Sequence, residues 1–143
     1  MLILQPSQTR IGTVSRATKE TSISATVDLD GSGKVDVNTG IGFLDHMLSQ
    51  LGKHGRIDIE LKCEGDLHID DHHTAEDCAL ALGEAFDKAL GKREGIKRFG
   101  SVYCPLDEAL SRAVVDISSR PHAVIDLQFT RFYLALALHM KMC

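Results

Sequence analysis

The densest chemistry in the chain lies in Asp66-Leu-His-Ile-Asp-Asp-His-His-Thr-Ala-Glu-Asp77, which packs three histidines and five carboxylates into twelve residues. Apolar residues at Ala75, Cys78, Ala79, Leu82, Ala85, Phe86, Ala89 and Leu90 follow at three- and four-residue steps, the period of an amphipathic helix. On that helix His72 and Glu76 stand one turn apart on the same face, and His73 and Glu76 are also neighbours. His72 and His73 diverge by roughly 100° at 3.6 residues per turn. One ion could not easily take both rings. The spacing therefore predicts two metal sites, one histidine serving each and Glu76 serving one of them. Imidazole with carboxylate suits Zn, Mn or Fe, and paired ions are a common means of polarising a substrate. The plain alternative is a solvated helix start whose acids favour the helix dipole. The adjacent histidines, the glutamate one turn on and nearby His68 favour metal.

The elements that must hold these groups follow from the surrounding pattern. Asp70 or Asp71 suits the N-cap of the helix, and Gly91 stands where it should stop. Ile23, Ala25, Val27 and Leu29 alternate with polar residues as in a half-buried strand. Asp30-Gly-Ser-Gly33 is turn chemistry and Lys34-Val-Asp-Val37 alternates again, which predicts a hairpin. After Gly40-Ile-Gly42, the spacing of Phe43, Leu44, Met47, Leu48 and Leu51 is helical. His46 lies on this helix beside Asp45, and His54-Gly55 closes it. Ile57, Ile59, Leu61 and Cys63 alternate with charged residues, giving a strand with one wet face. His68 alternates with Asp70 as a strand-surface pair, and His122 after Pro121 reads as an inert turn residue.

At 143 residues, 43% hydrophobic and 25% charged, the chain has the make-up of an ordinary globular protein. A formal charge of -4 argues against a nucleic-acid or anionic-membrane surface, while leaving room for a local basic pocket. Cys63, Cys78, Cys104 and Cys143 show no C-x-x-C spacing and read as reduced, mostly structural thiols. The opening Met-Leu-Ile-Leu is too short for a signal segment and no apolar run approaches a membrane span, so the expected setting is cytoplasmic.

An internal duplication sets the architecture. Glu20-Thr-Ser-Ile-Ser-Ala-Thr-Val-Asp-Leu29 lines up with Glu108-Ala-Leu-Ser-Arg-Ala-Val-Val-Asp-Ile117, 88 positions on, and Val35-Asp-Val37 with Ile125-Asp-Leu127. The expected fold is α/β (α+β): two half-domains, each a mixed sheet with helices on one face, sharing a core. The first spans 1–91 and the second, after the charged linker Gly91–Gly95, spans 92–143 and is incomplete. A second copy of His72-His73-Glu76 would fall near residue ~163, beyond Cys143. The apolar tail from Phe132 to Cys143 lacks both alternation and a helical stripe, which a truncated or mis-spliced reading frame would explain. Within it Leu138-His-Met140 faintly echoes Asp45-His-Met47, making His139 a candidate substitute ligand.

Gly40-Ile-Gly-Phe-Leu-Asp-His-Met47, Gly65–Asp77, Gly95-Ile-Lys-Arg-Phe-Gly100, Leu106-Asp-Glu-Ala-Leu-Ser-Arg112 and Ser119-Arg-Pro121 resemble imidazoleglycerol-phosphate dehydratases of histidine biosynthesis. The resemblance runs from about Arg10 to Thr130 and ends after Arg131. It implies two similar half-domains, a cage-like homo-oligomer of about 24 subunits, and paired manganese ions between subunits. It further implies His46, His72, His73 and Glu76 as metal ligands. Glu20, His46, His54, His72, Arg98 and Arg120 would contact a small phosphorylated imidazole substrate, the arginines on its phosphate. The implied reaction removes water from D-erythro-imidazole-glycerol phosphate to give imidazole-acetol phosphate. Metals on both ring nitrogens would stabilise an imidazolate while a carboxylate moves the proton. Glu20 is the candidate for that step because Glu76 is taken as a ligand, so Glu20, His72 and Glu76 form the expected catalytic set.

Two other readings compete. A half-complete second unit could make the chain a non-catalytic subunit of the same oligomer, with weak metal binding and little turnover by itself. An unrelated di-metal phosphohydrolase would need more carboxylate ligands and leaves the repeat unexplained.

Overall fold

The computed structural model describes residues 9–118 and 120–126. Its main body is a four-stranded sheet, mixed and with two helices on one face as the sequence predicts, but one strand larger than expected. The strands are β1 (Ile11–Ala17), β2 (Thr21–Asp28), β3 (Val35–Asn38) and β4 (Asp58–Gly65), in the spatial order β1-β2-β4-β3. Helix α1 (Gly42–Gly55) joins β3 to β4, and α2 (His72–Leu90) follows β4. One sheet face contributes Val14, Ile23, Ala25, Val27, Ile59 and Leu61 to the core. Cys78, Ala81, Leu82 and Ala85 of α2 close over it, with Leu44 and Leu48 of α1 packed alongside. Fully burying side chains such as Ile59 and Leu61 stabilises the body by about 1.5–3 kcal/mol each.

β1 has no counterpart in the sequence reading. Its buried face carries Gly12 and Val14, so a single large apolar residue marks it and the alternation is nearly silent. The glycine is required because α2 crosses β1 there, with Ala85 and Ala89 against it.

The hairpin expected across Asp30–Gly33 does not form. β2 pairs antiparallel with β1 and β4, whereas β3 lies parallel to β4 on its far side. The reason is Asp58 at the start of β4. Its Oδ1 accepts backbone N–H bonds from Ser32 (2.7 Å), Gly33 (2.9 Å) and Lys34 (2.8 Å). Those bonds satisfy the turn on β4 and carry the chain across to its other edge. A parallel neighbour then needs a crossover, which α1 supplies. α1 ends with Arg56 in the left-handed region (φ 57°), its N–H returning to Gly52 O.

The duplication is visible in backbone register. β5 (Phe99–Leu106) and β6 (Ala109–Asp116) form an antiparallel hairpin in which Phe99 faces Asp116. In the first unit Ile11 faces Asp28, each 88 positions earlier. The closing bonds match too: Leu29 N–H to Arg10 O and Ile117 N–H to Arg98 O are both 3.0 Å. The surroundings do not match. Val14 and Val27 are 4% and 0% exposed, but their counterparts Val102 and Val115 are 58% and 47% exposed. Every residue of β5 and β6 faces solvent, so no core shared by the two units exists among the described residues. Ile125 lies outside any strand, and Leu127, His139 and the rest of the tail fall outside the described residues.

Candidate functional site

The histidine pair opens α2. Asp71 occupies the N-cap position, but it is Asp70 whose Oδ1 accepts the His72 backbone N–H, at 2.8 Å. That bond meets one of the unpaired donors of the first turn. His68, expected on a strand surface, sits instead in the turn after β4, where Ile69 N–H bonds to Asp66 O at 2.7 Å. The bend follows from ending β4 at Gly65, opposite Thr21.

Helical geometry assigns the two rings different partners. His72 Nε2 lies 3.4 Å from Glu76 Oε2, one turn on. His73 turns away and its Nδ1 meets Asp66 Oδ2 at 2.9 Å. The ring centroids are 5.7 Å apart with planes inclined at 66°. The hydrogen bond to Asp66 is the main reason the His73 pKa is raised; burial opposes it, and the charges of Asp66, Glu20 and Asp70 add to it.

Glu20 stands at the same end of the sheet, just before β2, whose Thr21 pairs with Gly65 of β4. Its carbonyl accepts the Asp66 N–H at 3.1 Å. The next residue, Thr21, is buried and donates its hydroxyl to Asp77 Oδ2 at 2.5 Å, while Arg16 reaches Asp77 Oδ1 at 3.0 Å. The start of β2 is thus fastened to the first turns of α2. Asp66 and Asp77 carry this arrangement, and sequence spacing singles out neither. Behind them burial pushes both the Cys63 and Cys78 thiols up, which suits inert structural cysteines.

The remaining candidates lie elsewhere. His46 is exposed on α1, two turns before its end, beside Asp45, whose Oδ1 accepts from the Thr39 N–H (2.9 Å) and hydroxyl (2.6 Å). His54 Nε2 is 3.1 Å from Gln50 Oε1 near the end of α1. Arg98 directs Nε and Nη2 at Asp116 (2.6 and 3.1 Å) and stacks 5.0 Å over the Phe99 ring. Arg120 also acts on Asp116, whose carboxyl is held low chiefly by its bonds from Arg98. Arg98 is thus paired with Asp116 on the exposed hairpin, and Arg120 follows shortly after its end.

The donors fit a transition metal in kind, being imidazole nitrogens and a carboxylate on half-exposed side chains. They do not fit it in number. Among the described residues no three His, Cys, Asp or Glu side chains converge closely enough to hold an ion. His46, His72, His73 and Glu76 thus form partial donor sets rather than one closed shell. No helix among the described residues is long and apolar enough to cross a membrane.

Comparison with known proteins bears on this arrangement. The sequence model of the imidazoleglycerol-phosphate dehydratase family matches residues 39–142. That match continues through the stretch after Arg131, where the motif resemblance was expected to end. A protein named imidazoleglycerol-phosphate dehydratase from Phytophthora nicotianae is 66% identical over 87% of this chain and 28% of its own length. The one from Streptomyces avermitilis is 63% identical over 80% of this chain and 58% of its own. The chain thus spans less than two thirds of these relatives. Among solved structures, the enzyme from Pyrococcus furiosus superposes with a TM-score of 0.70 at 33% identity, covering 89% of this chain and 67% of that one. The one from Staphylococcus aureus gives 0.68 at 27% identity, covering 92% and 79%.

Proposed function

Because the chain belongs to the imidazoleglycerol-phosphate dehydratase family, we propose that it takes part in histidine biosynthesis, in the dehydration of D-erythro-imidazole-glycerol phosphate to imidazole-acetol phosphate. The observation that carries this reading is the divergent pair at the start of α2, His72 with Glu76 and His73 with Asp66. His72, His73 and Glu76, with His46, would hold two manganese ions. When bound, those ions would polarise the substrate's imidazole ring and lower the barrier to proton loss. Glu20, whose carbonyl accepts the Asp66 N–H, is the group that would move the proton. Arg98 would take the phosphate by exchanging its hold on Asp116 for it, with Arg120 and His54 further contacts.

Partial donor sets support a site completed between subunits, hence a homo-oligomer. The setting we propose is cytoplasmic, in keeping with cysteines held as free thiols. A second reading, a subunit that assembles but does not turn over, has the same observation in its favour. Calorimetric titration of the purified chain with Mn²⁺, with mass by light scattering on the same sample, tests both. Tight binding by a large assembly, abolished by His72→Ala, is expected for the enzyme. A large assembly without tight binding would support the non-catalytic subunit, and tight binding indifferent to His72→Ala would overturn the ligand assignment.

A further inference from the structure

We infer that Asp66 is the positioning residue of the site: its carboxylate selects the tautomer and ring plane of His73, and its backbone amide ties that ring to Glu20. The inference rests on the reading of His73 as a metal ligand.

Three observations carry it. His73 Nδ1 lies 2.9 Å from Asp66 Oδ2, and an ionised carboxylate only accepts. The proton of that bond must therefore sit on Nδ1, which leaves the Nε2 lone pair for an ion. Secondly, the Asp66 N–H donates to Glu20 O at 3.1 Å. One residue thus bonds the strand end that bears the proton-moving candidate and the ring that bears the ligand nitrogen. Thirdly, Asp66 Oδ1 is buried with no hydrogen-bond partner among the described residues. A buried oxygen without a partner is unfavourable. A surface acid serving only the turn would not be drawn in so far, whereas the bond to His73 accounts for its direction. Carboxylates that hold the second nitrogen of a ligand histidine commonly govern metal affinity 10–100-fold.

His72 has a different arrangement, facing Glu76 through Nε2. The two rings should therefore respond differently when Asp66 is changed, which separates a positioning role from general damage to the fold. The experiment is ¹⁵N–¹H correlation spectroscopy of the metal-free protein, at a pH where the imidazoles are neutral. It compares wild type, Asp66→Asn and Asp66→Ala. In the wild type His73 is expected as the Nδ1–H tautomer. Asp66→Asn keeps a carbonyl oxygen that can accept this bond and should hold the tautomer; Asp66→Ala should shift His73 toward Nε2–H and leave His72 unchanged. Calorimetry on the same samples should show Mn²⁺ affinity falling 10–100-fold in Asp66→Ala, with most of the loss recovered in Asp66→Asn.

An Nε2–H tautomer for His73 in the wild type would overturn the inference, and so would a tautomer or metal affinity indifferent to Asp66→Ala. If Asp66→Ala fails to fold, the wild-type tautomer and the asparagine variant still decide the matter. The proposed function fails separately: wild-type protein that takes up no Mn²⁺ would sink that reading, while the tautomer would still report on Asp66.

Discussion

A Cβ on Gly12 would stand 2.0 Å from the carbonyl oxygen of Ala85, because α2 crosses β1 at this point with only a glycine and alanines between the two backbones. Neither backbone can yield without moving an element that also holds the core. Gly12→Ala should therefore cost about 3 kcal/mol, the upper end of ordinary overpacking. Gly100 holds the corresponding place in the second hairpin, and a Cβ there meets nothing within 4 Å. Gly100→Ala should change stability by no more than about 0.5 kcal/mol. Urea unfolding of the two variants makes the comparison. A cost at Gly100 equal to that at Gly12 would mean the β5–β6 face is covered in solution.

Thr21 and Asp77 join β2 to α2 from two buried positions. Removing the carboxylate in Asp77→Ala leaves the Thr21 hydroxyl buried without an acceptor and frees the Arg16 guanidinium. The expected loss is about 2 kcal/mol, since Arg16 is itself partly solvated. Asp77→Asn retains an oxygen for Thr21 and should lose less. Because Thr21 follows Glu20 directly, a disturbed β2 start should also reduce the proposed dehydratase turnover. Denaturation midpoints and turnover measured on both variants test the link, and a destabilised Asp77→Ala with undiminished turnover would break it.

The parts of this architecture that were legible in the sequence are those written locally. α2 announces itself through eight apolar positions at helical spacing, and β4 through strict alternation. The 88-residue repeat, read from β2 and β6, extends to a pairing register that the two hairpins share residue for residue. What escaped depends on partners distant in the chain. β1 is hidden because Gly12 replaces the large residue that alternation needs. The β2–β3 hairpin looked sound because its turn residues are suitable, yet Asp58, 25 positions beyond Gly33, redirects them. Within the site, His72 and Glu76 follow from helix geometry alone. Asp66 and His73 meet because the chain turns between them, and no periodicity encodes a turn.

Phe43, Met47 and Leu51 recur every fourth residue on α1 and are 62%, 41% and 45% exposed. Such a stripe is a candidate contact surface. If it supports the proposed assembly, Phe43→Glu together with Leu51→Lys should lower the mass seen by light scattering, since burying charges there is strongly unfavourable. Far-ultraviolet circular dichroism should be unchanged, because neither side chain belongs to the core. An assembly of unaltered mass would exclude this face from the interface.

Asp58 gives the fold a defined acid dependence. Backbone N–H bonds, first from Lys34, then Ser32 and, beyond the opposing effect of burial, Gly33, hold its carboxyl below the ordinary carboxylate range, helped by the Lys34 charge. A folded-state pKa below the unfolded one contributes stability that is fully present above the unfolded value, about 3.9 for Asp, and disappears as pH falls through the folded value. Asp58→Asn keeps an acceptor oxygen but removes the charge, and with it this dependence. Wild type should exceed the variant in stability at neutral pH, and the gap should narrow in acid below the ordinary carboxylate range. Asp30, held low by Arg10, and Asp116, held low by Arg98, share the sign and remain in both proteins, so they cancel in the difference. Urea unfolding of the pair across the acid range reads the gap directly. A gap that stays constant into strong acid would show that the three amides bind the side-chain oxygen without regard to its charge, and that another contact pins the loop to β4.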